Sequence, residues 1–185
     1  WSQVTSNPTL GADSVALFST ATGARKRSNL TTGSATPTVA TLQTLSNLMR
    51  QMRGENTPEG AESSDILNLT PRYLVGPSAL DTTIKQLVLS AYDPAANSFQ
   101  VYNTATQLIP VIEPLLDANS ATAFYLFADP SNQIDTIEVT FLAGQESPVT
   151  RSFLDDRNLS QSITIMQTFA AKAMNHRGVQ KHAGV

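Results

Sequence analysis

The sequence predicts a mixed fold of the α/β or α+β class. The first observation behind this prediction is an amphipathic helix over Pro37–Arg53, whose apolar residues recur at spacings of three and four. The second is a strand, a Gly-Pro corner and a helix in succession over residues 66–89. The third is an alternation of apolar and polar residues from Ile137 to Phe141, which is typical of a half-buried strand.

The predicted helix has recognisable ends. Thr36 is expected to cap it, and Pro37 fits the first helical position because proline has no N–H group to leave unpaired. Gly54 is expected to end the helix in the left-handed conformation. Residues 54–65 are small, acidic and turn-forming, so we expect a surface loop there.

The middle of the chain supplies further elements of the mixed fold. We expect a short strand over Ile66–Val75, interrupted at Pro71, and a second helix over about Ser78–Leu89. Leu108–Ile112 is expected to be an edge strand or an extended crossing, because Pro110 cannot donate a ladder hydrogen bond. Phe124–Phe127 is predicted to be a compact apolar strand.

The last third of the chain predicts more strands. Val149–Phe153 is expected to pair back on Ile137–Phe141 through a turn at Gly144-Gln145. Ser162–Met174 is predicted to be the last strand, with a helix at Ala170–Met174 as the alternative.

The first 36 residues are rich in small polar side chains and bury little by themselves. They predict an extended arm or loop that needs a surface to lie on. The cluster Arg25-Lys26-Arg27 favours a solvated loop over a nucleic-acid site, because no aromatic or further basic residues interleave with it.

Composition narrows the classes of function. The chain has 185 residues, of which 15% are charged, and a net charge of −3. This balance argues against a protein whose main task is to grip phosphate backbones. Cysteine is absent, which excludes disulfides, thiolate nucleophiles and cysteine zinc sites.

The two histidines, His176 and His182, follow the last predicted strand in a polar tail. We expect them in solvent or at a contact between subunits. A serine–histidine mechanism needs a positioned nucleophile and an oxyanion hole, and no Gly-x-Ser-x-Gly elbow is present. Nothing in the sequence suggests a third metal ligand beside them.

Acidic residues are the remaining candidates for chemistry. Asp155-Asp156 lies in a predicted turn beside Arg157, where aspartates more often accept backbone hydrogen bonds than act as acid and base. Glu55, Glu59 and Glu62 lie in the predicted acidic loop. No glycine-rich phosphate loop is present. We therefore assign no catalytic, cofactor-binding or metal-ligating residue, and we expect a protein that is not an enzyme.

Four segments, in order along the chain, carry a family resemblance. They read NLTPRYLVGPSAL at Asn68–Leu80, FYLFADP and DTIEV over Phe124–Val139, FLAGQESP at Phe141–Pro148, and FAAKAMNHRGVQK at Phe169–Lys181. Together they resemble the major capsid proteins of tailed bacteriophages, and within them the Mu-like prophage major head subunits.

The resemblance implies an α+β fold of the Hong Kong 97 type, with Pro37–Arg53 as the spine helix. Most of the N-terminal arm and extended loop is then expected to precede Trp1. The implied division of the chain is a remnant of the arm and extended loop at 1–33, a peripheral lobe with the spine helix at 34–65, an axial lobe at 66–145, and strands and a tail completing the lobes at 146–185.

The implied function is that of a structural subunit that self-assembles into an icosahedral head enclosing DNA. The implied partners are other copies in pentamers and hexamers, scaffold or portal proteins, and DNA without sequence preference. The implied locations are the virion and, during assembly, the host bacterial cytoplasm, with no cofactor and no membrane. Two alternatives stay open: a secreted or surface β-rich binding domain, and a hydrolase using Asp155 or Asp156.

Overall fold

A computed structural model gives the fold of the chain. It describes residues 1–11, 13–20, 25, 27–33, 36–56, 61–94, 101–132, 134–155 and 157–184. Among these residues, no helix has both the length and the apolar composition that crossing a bilayer requires.

Three α-helices and eleven strands make up the described structure. The helices are α1 (Ser2–Thr5), α2 (Val39–Arg50) and α3 (Asp81–Leu89). The strands are β1 (Leu30–Thr31), β2 (Arg53–Asn56), β3 (Ala61–Ile66), β4 (Pro71–Gly76), β5 (Ile109–Ile112), β6 (Phe124–Ala128), β7 (Ile137–Phe141), β8 (Val149–Asp155), β9 (Ser160–Met166), β10 (Phe169–Ala173) and β11 (Val179–His182). Short 3₁₀ turns begin at Ser78, Thr104, Pro114 and Pro130.

The chain divides into two compact units. Unit 1 comprises Trp1–Thr136 and Ala173–Val185, and unit 2 comprises Ile137–Lys172. Helix and strand are mixed in unit 1, and the described elements of unit 2 are strands, so the prediction of a mixed fold is confirmed.

A five-stranded sheet organises unit 1, in the order β1-β11-β6-β4-β5. Strand β6 lies at its centre and pairs antiparallel with both β11 and β4. The outer strands are parallel to their neighbours, β1 to β11 and β5 to β4. Strand β5 is an edge strand, as Pro110 predicts.

One apolar core joins this sheet to α2 and α3. The helices contribute side chains such as Leu45 and Ile84, and the sheet contributes Leu74, Phe124 and Leu126. All five are buried completely. Because α2 and the sheet share one core, the helix is held by packing, which supplies most of the stability of helices in proteins.

Helix α2 begins and ends inside the predicted range. Its N-cap is Thr38, whose hydroxyl accepts a hydrogen bond from the Thr41 backbone N–H. In return, the Thr41 hydroxyl accepts a hydrogen bond from the Thr38 backbone N–H. The prediction of Thr36 as the cap is wrong, because this reciprocal pair forms later in the sequence. Gly54 does not end the helix either, since it lies in β2.

The predicted loop at 54–65 is also wrong for residues 54–56 and 61–65, and its residues 57–60 lie outside the described structure. Strands β2 and β3 form an antiparallel hairpin across this segment, with Arg53 paired to Ile66. The predicted strand over Ile66–Val75 is accordingly divided between the end of β3 and β4. Between them Asn68 has a φ of 47°, a left-handed turn that breaks the extended chain.

The strands of unit 2 pair differently from the prediction. Strand β8 pairs with β9 over seven residue pairs, from Val149 opposite Met166 to Asp155 opposite Ser160. Strand β7 pairs with β10. Val149–Phe153 therefore does not pair back on β7, because the turn after Asp155 gives β8 a nearer partner. The single strand predicted over Ser162–Met174 is divided between β9 and β10, and the alternative helix does not form.

Both chain ends belong to unit 1. The first segment buries Val4, Leu10, Leu17 and Phe18 within its own chain, so the surface that the predicted arm needs is provided by the protein itself. The predicted polar tail is wrong as well, because residues 179–182 form β11 of the main sheet.

A close contact between Gly76 and α3 gives a test of this packing. A methyl group added at Gly76 would lie 2.4 Å from Cδ1 of the buried Ile84. Gly76→Ala is expected to lower the free energy of unfolding by about 1–3 kcal/mol through overpacking. Ile84→Val removes that carbon and by itself costs about 0.5–1.5 kcal/mol.

The double variant is expected to lose less stability than the sum of the two single variants, because shortening Ile84 makes room for the new methyl group. Urea unfolding of the wild type and the three variants measures this coupling. Strictly additive losses would contradict the contact.

Candidate functional site

The structure buries both histidines. His182 stacks on Phe124 with 4.8 Å between ring centroids, and its Nδ1 accepts a hydrogen bond from the Gly184 backbone N–H. Burial lowers the pKa of His182. The prediction of a solvated or inter-subunit position is therefore wrong for His182, because its strand completes the sheet.

A buried ion pair replaces the predicted solvated basic loop. Arg25 is only 2% exposed, and its Nε lies 2.5 Å from the Asp13 carboxylate. Its other nitrogens donate to the carbonyl oxygens of residues 15, 16 and 17. Arg25 therefore holds the first segment together from within and is not a solvated side chain. Lys26 lies outside the described residues.

Sequence reasoning missed this pair. The sequence did contain a signal for the pair, because Asp13 is the only acidic residue before Glu55 and therefore the only side-chain carboxylate near Arg25 in the sequence. Burial by itself would raise the pKa of Asp13, but hydrogen bonds from Arg25 and from the Val15 backbone N–H hold it below its usual value.

His176 lies near the same charges. The residue is 3% exposed, and its Nε2 has no hydrogen-bond partner. Burial, followed by the positive charges of Arg25 and Arg177, lowers the pKa of His176 from 6.5 to about 3, against the opposing effect of Asp13. The imidazole is thus neutral at physiological pH and has a structural role, which corrects the expectation of a solvated tail.

The acidic candidates do not form a site among the described residues. No group of three or more His, Asp or Glu side chains there could hold a metal ion. The backbones of Glu55 and Glu62 are opposite each other in the β2–β3 hairpin, and Asp155 ends β8. Glu59 and Asp156 lie outside the described residues.

Three of the four segments that carried the family resemblance contribute to unit 1, whereas Phe141–Pro148 lies in unit 2. Strands β4 and β6 pair, and Arg72 forms an ion pair of 2.8 Å with Asp129, whose pKa falls to about 2 mainly through the hydrogen bond from Arg72. Gly178 lies against Thr136, so close that an added Cβ would be inside contact distance of its hydroxyl. These motifs therefore hold a sheet together and do not build a reaction centre.

An open groove of about 490 Å³ runs beside α2. Its walls come from Gln43, Asn47 and Arg50 on the helix and from the segments at 70–71 and 104–108. The lining is mostly polar, and it lacks the enclosed apolar character of a typical small-molecule site.

Unit 2 presents an unusual amount of apolar surface. Every residue of β9 is exposed, and so are the large apolar side chains of β8 and β10 apart from the half-buried Val149. The exposed ones include Phe153, Leu154, Ile163, Ile165, Met166 and Phe169. Apolar side chains left exposed in this number indicate an interaction surface.

Arg25 and its sequence neighbour Arg27 provide a matched comparison. Arg25→Met leaves Asp13 and three carbonyl groups without their donor in a buried site, so it is expected to cost about 3–5 kcal/mol of stability. Arg27 is half-buried and forms no ion pair with the described residues, so Arg27→Met is expected to change stability by less than about 0.5 kcal/mol. Denaturant unfolding measures both, and equal losses would contradict the assigned ion pair.

The buried His176 makes stability depend on pH. The pKa of His176 is about 3 in the folded state and 6.5 in the unfolded chain, so between these values the unfolded chain binds a proton that the folded chain does not. Stability is therefore fully present above pH 6.5 and falls with decreasing pH, by about 1.4 kcal/mol per unit at most.

His176→Leu is expected to remove this component, so that its loss of stability between pH 7 and pH 5 is smaller than that of the wild type by about 2 kcal/mol. The comparison of variant and wild type cancels the contribution of His182. Parallel pH profiles would show that His176 is not buried in its neutral form.

Comparison with known proteins identifies the family. The family model described as "Phage capsid protein" matches residues 1–182. No curated protein matches the chain. Because the match spans nearly the whole sequence, the chain belongs to the phage capsid protein family and is a structural subunit of a phage head.

Proposed function

We propose that this chain is a major head subunit of the Mu-like group with a fold of the Hong Kong 97 type. In this proposal, copies close into pentamers and hexamers of an icosahedral shell around DNA. The exposed apolar strands of unit 2 carry the proposal, because a subunit built to contact copies of itself must present surface that is uncovered in the single chain.

The proposed lobes follow the division of the sequence. Residues 66–145 form the axial lobe, which β11 from the segment 146–185 completes. Residues 34–65 belong to the peripheral lobe, and residues 1–33 are the remnant of the arm and extended loop. Helix α2 would then lie where the two lobes meet, because its apolar face packs into the core of the five-stranded sheet.

The charge of the chain sets its proposed relation to DNA. A net charge of −3 provides no strong basic surface, so contact with packaged DNA is weak and independent of sequence. The protein has no catalytic role in this proposal. It assembles in the host bacterial cytoplasm with scaffold or portal proteins and remains in the virion.

Electron microscopy of the full-length gene product tests the proposal. Closed shells, or rings of five and six subunits, are expected when the protein is concentrated, because identical heterologous contacts close by rotation. A reconstruction should place the five-stranded sheet around the fivefold and sixfold axes. A protein that stays monomeric, or shells with the sheet far from those axes, would overturn it.

A further inference from the structure

The β8–β9 hairpin has two different faces. Residues directly opposite in an antiparallel pair point to the same side, and successive residues alternate between sides. The register therefore groups Leu154, Ile163 and Ile165 on one side, which we name the uncharged face. Its other members are Thr150, Ser152 and Gln161, so none of its six residues carries a charge. The opposite face contains the charged Arg151 together with the apolar Val149, Phe153 and Met166, so the two faces differ in charge and not in the number of apolar side chains.

The uncharged face is solvent-accessible in the single chain. Leu154, Ile163 and Ile165 are 67%, 63% and 68% exposed. Alternating isoleucines are the pattern of a strand with one covered side, and this side has no cover within the described residues. A two-stranded hairpin is marginal by itself in water, so burial of this face would stabilise it.

We propose that the uncharged face packs on a second copy of this chain within the shell. The inference rests on the proposed function and names one surface that performs it. Arg151 on the other face favours solvent there, because burying an unpaired guanidinium is costly. The absence of charge on the packing face means that the contact depends on apolar burial and not on electrostatic attraction.

The small size of the uncharged face favours a contact that is repeated between copies in a shell over a contact with one soluble partner. Its six residues fall well below the roughly 20–30 residues per side of a standard stable interface. One such contact is too weak to hold two molecules together in dilute solution. A closed shell repeats the contact at every subunit and adds others, so that weak contacts reinforce one another.

The absence of cysteine from these 185 residues allows a direct test, which uses the full-length product with any cysteine outside them replaced by serine. Ile163→Cys places a thiol on the uncharged face, and Thr164→Cys places one on the opposite face at the next residue. Both variants are labelled with a water-soluble maleimide, once as assembled particles and once as unassembled subunits. Assembly is expected to slow labelling of Ile163→Cys by about tenfold or more, because a thiol in a closed contact reacts only when the contact opens. Thr164→Cys should label at similar rates in both states.

The outcomes separate this inference from the proposed function. Equal labelling of Ile163→Cys in particles and subunits would overturn the inference and leave the shell intact. Protection of both thiols would also overturn it, since both faces would then be covered. Absence of particles in the wild type would instead overturn the proposed function.

A further variant tests whether particle assembly requires the uncharged face. The triple variant Leu154→Thr, Ile163→Thr and Ile165→Thr keeps residues that favour strands but removes most of the apolar surface. The triple variant is expected to reduce the yield of particles by about tenfold or more. A tenfold change corresponds to a loss of about 1.4 kcal/mol in the free energy of assembly. Thermal unfolding of its unassembled subunits should match the wild type. A wild-type particle yield would overturn the inference.

Discussion

The two-sided pairing of β6 is the constraint on which unit 1 depends. Strand β6 comes from the middle of the sequence, yet its neighbours β4 and β11 come from residues 71–76 and 179–182. Because β11 also pairs with β1, residues 30–31 and 179–182 lie next to each other on one side of the sheet. A central strand that is buried and hydrogen-bonded on both edges cannot be moved without separating all of these segments.

Buried polar and charged side chains order the segment that leads into this sheet. The Arg25–Asp13 pair and the fully buried Asn29 satisfy backbone groups of residues that would otherwise form a polar arm. A buried pair of this kind gives conformational definition more than net stability, since its desolvation costs nearly as much as its attraction returns. Unit 2 is the opposite case, because its apolar strand residues stay exposed and are available for contact with other copies.

Local patterns predicted the elements with strong local causes. The 3.6-residue periodicity identified α2, and Pro110 identified an edge strand, because both effects act within a few residues. The resemblance identified a capsid protein, and the comparison confirmed this at the level of the family. The pairing of Val149–Phe153 was wrong, because an alternating strand fits any partner of suitable pattern and the nearer turn decides.

The sequence by itself determined the mixed class of fold, the positions of α2 and α3 and the absence of cysteine from these residues. Tertiary structure alone decided that Arg25, His176 and His182 are buried, since their burial depends on contacts between residues far apart in sequence. Tertiary structure also decided which apolar strands are left uncovered. An alternation of apolar and polar residues predicts that one face of a strand is buried. Only the folded structure shows whether residues of the same molecule bury that face.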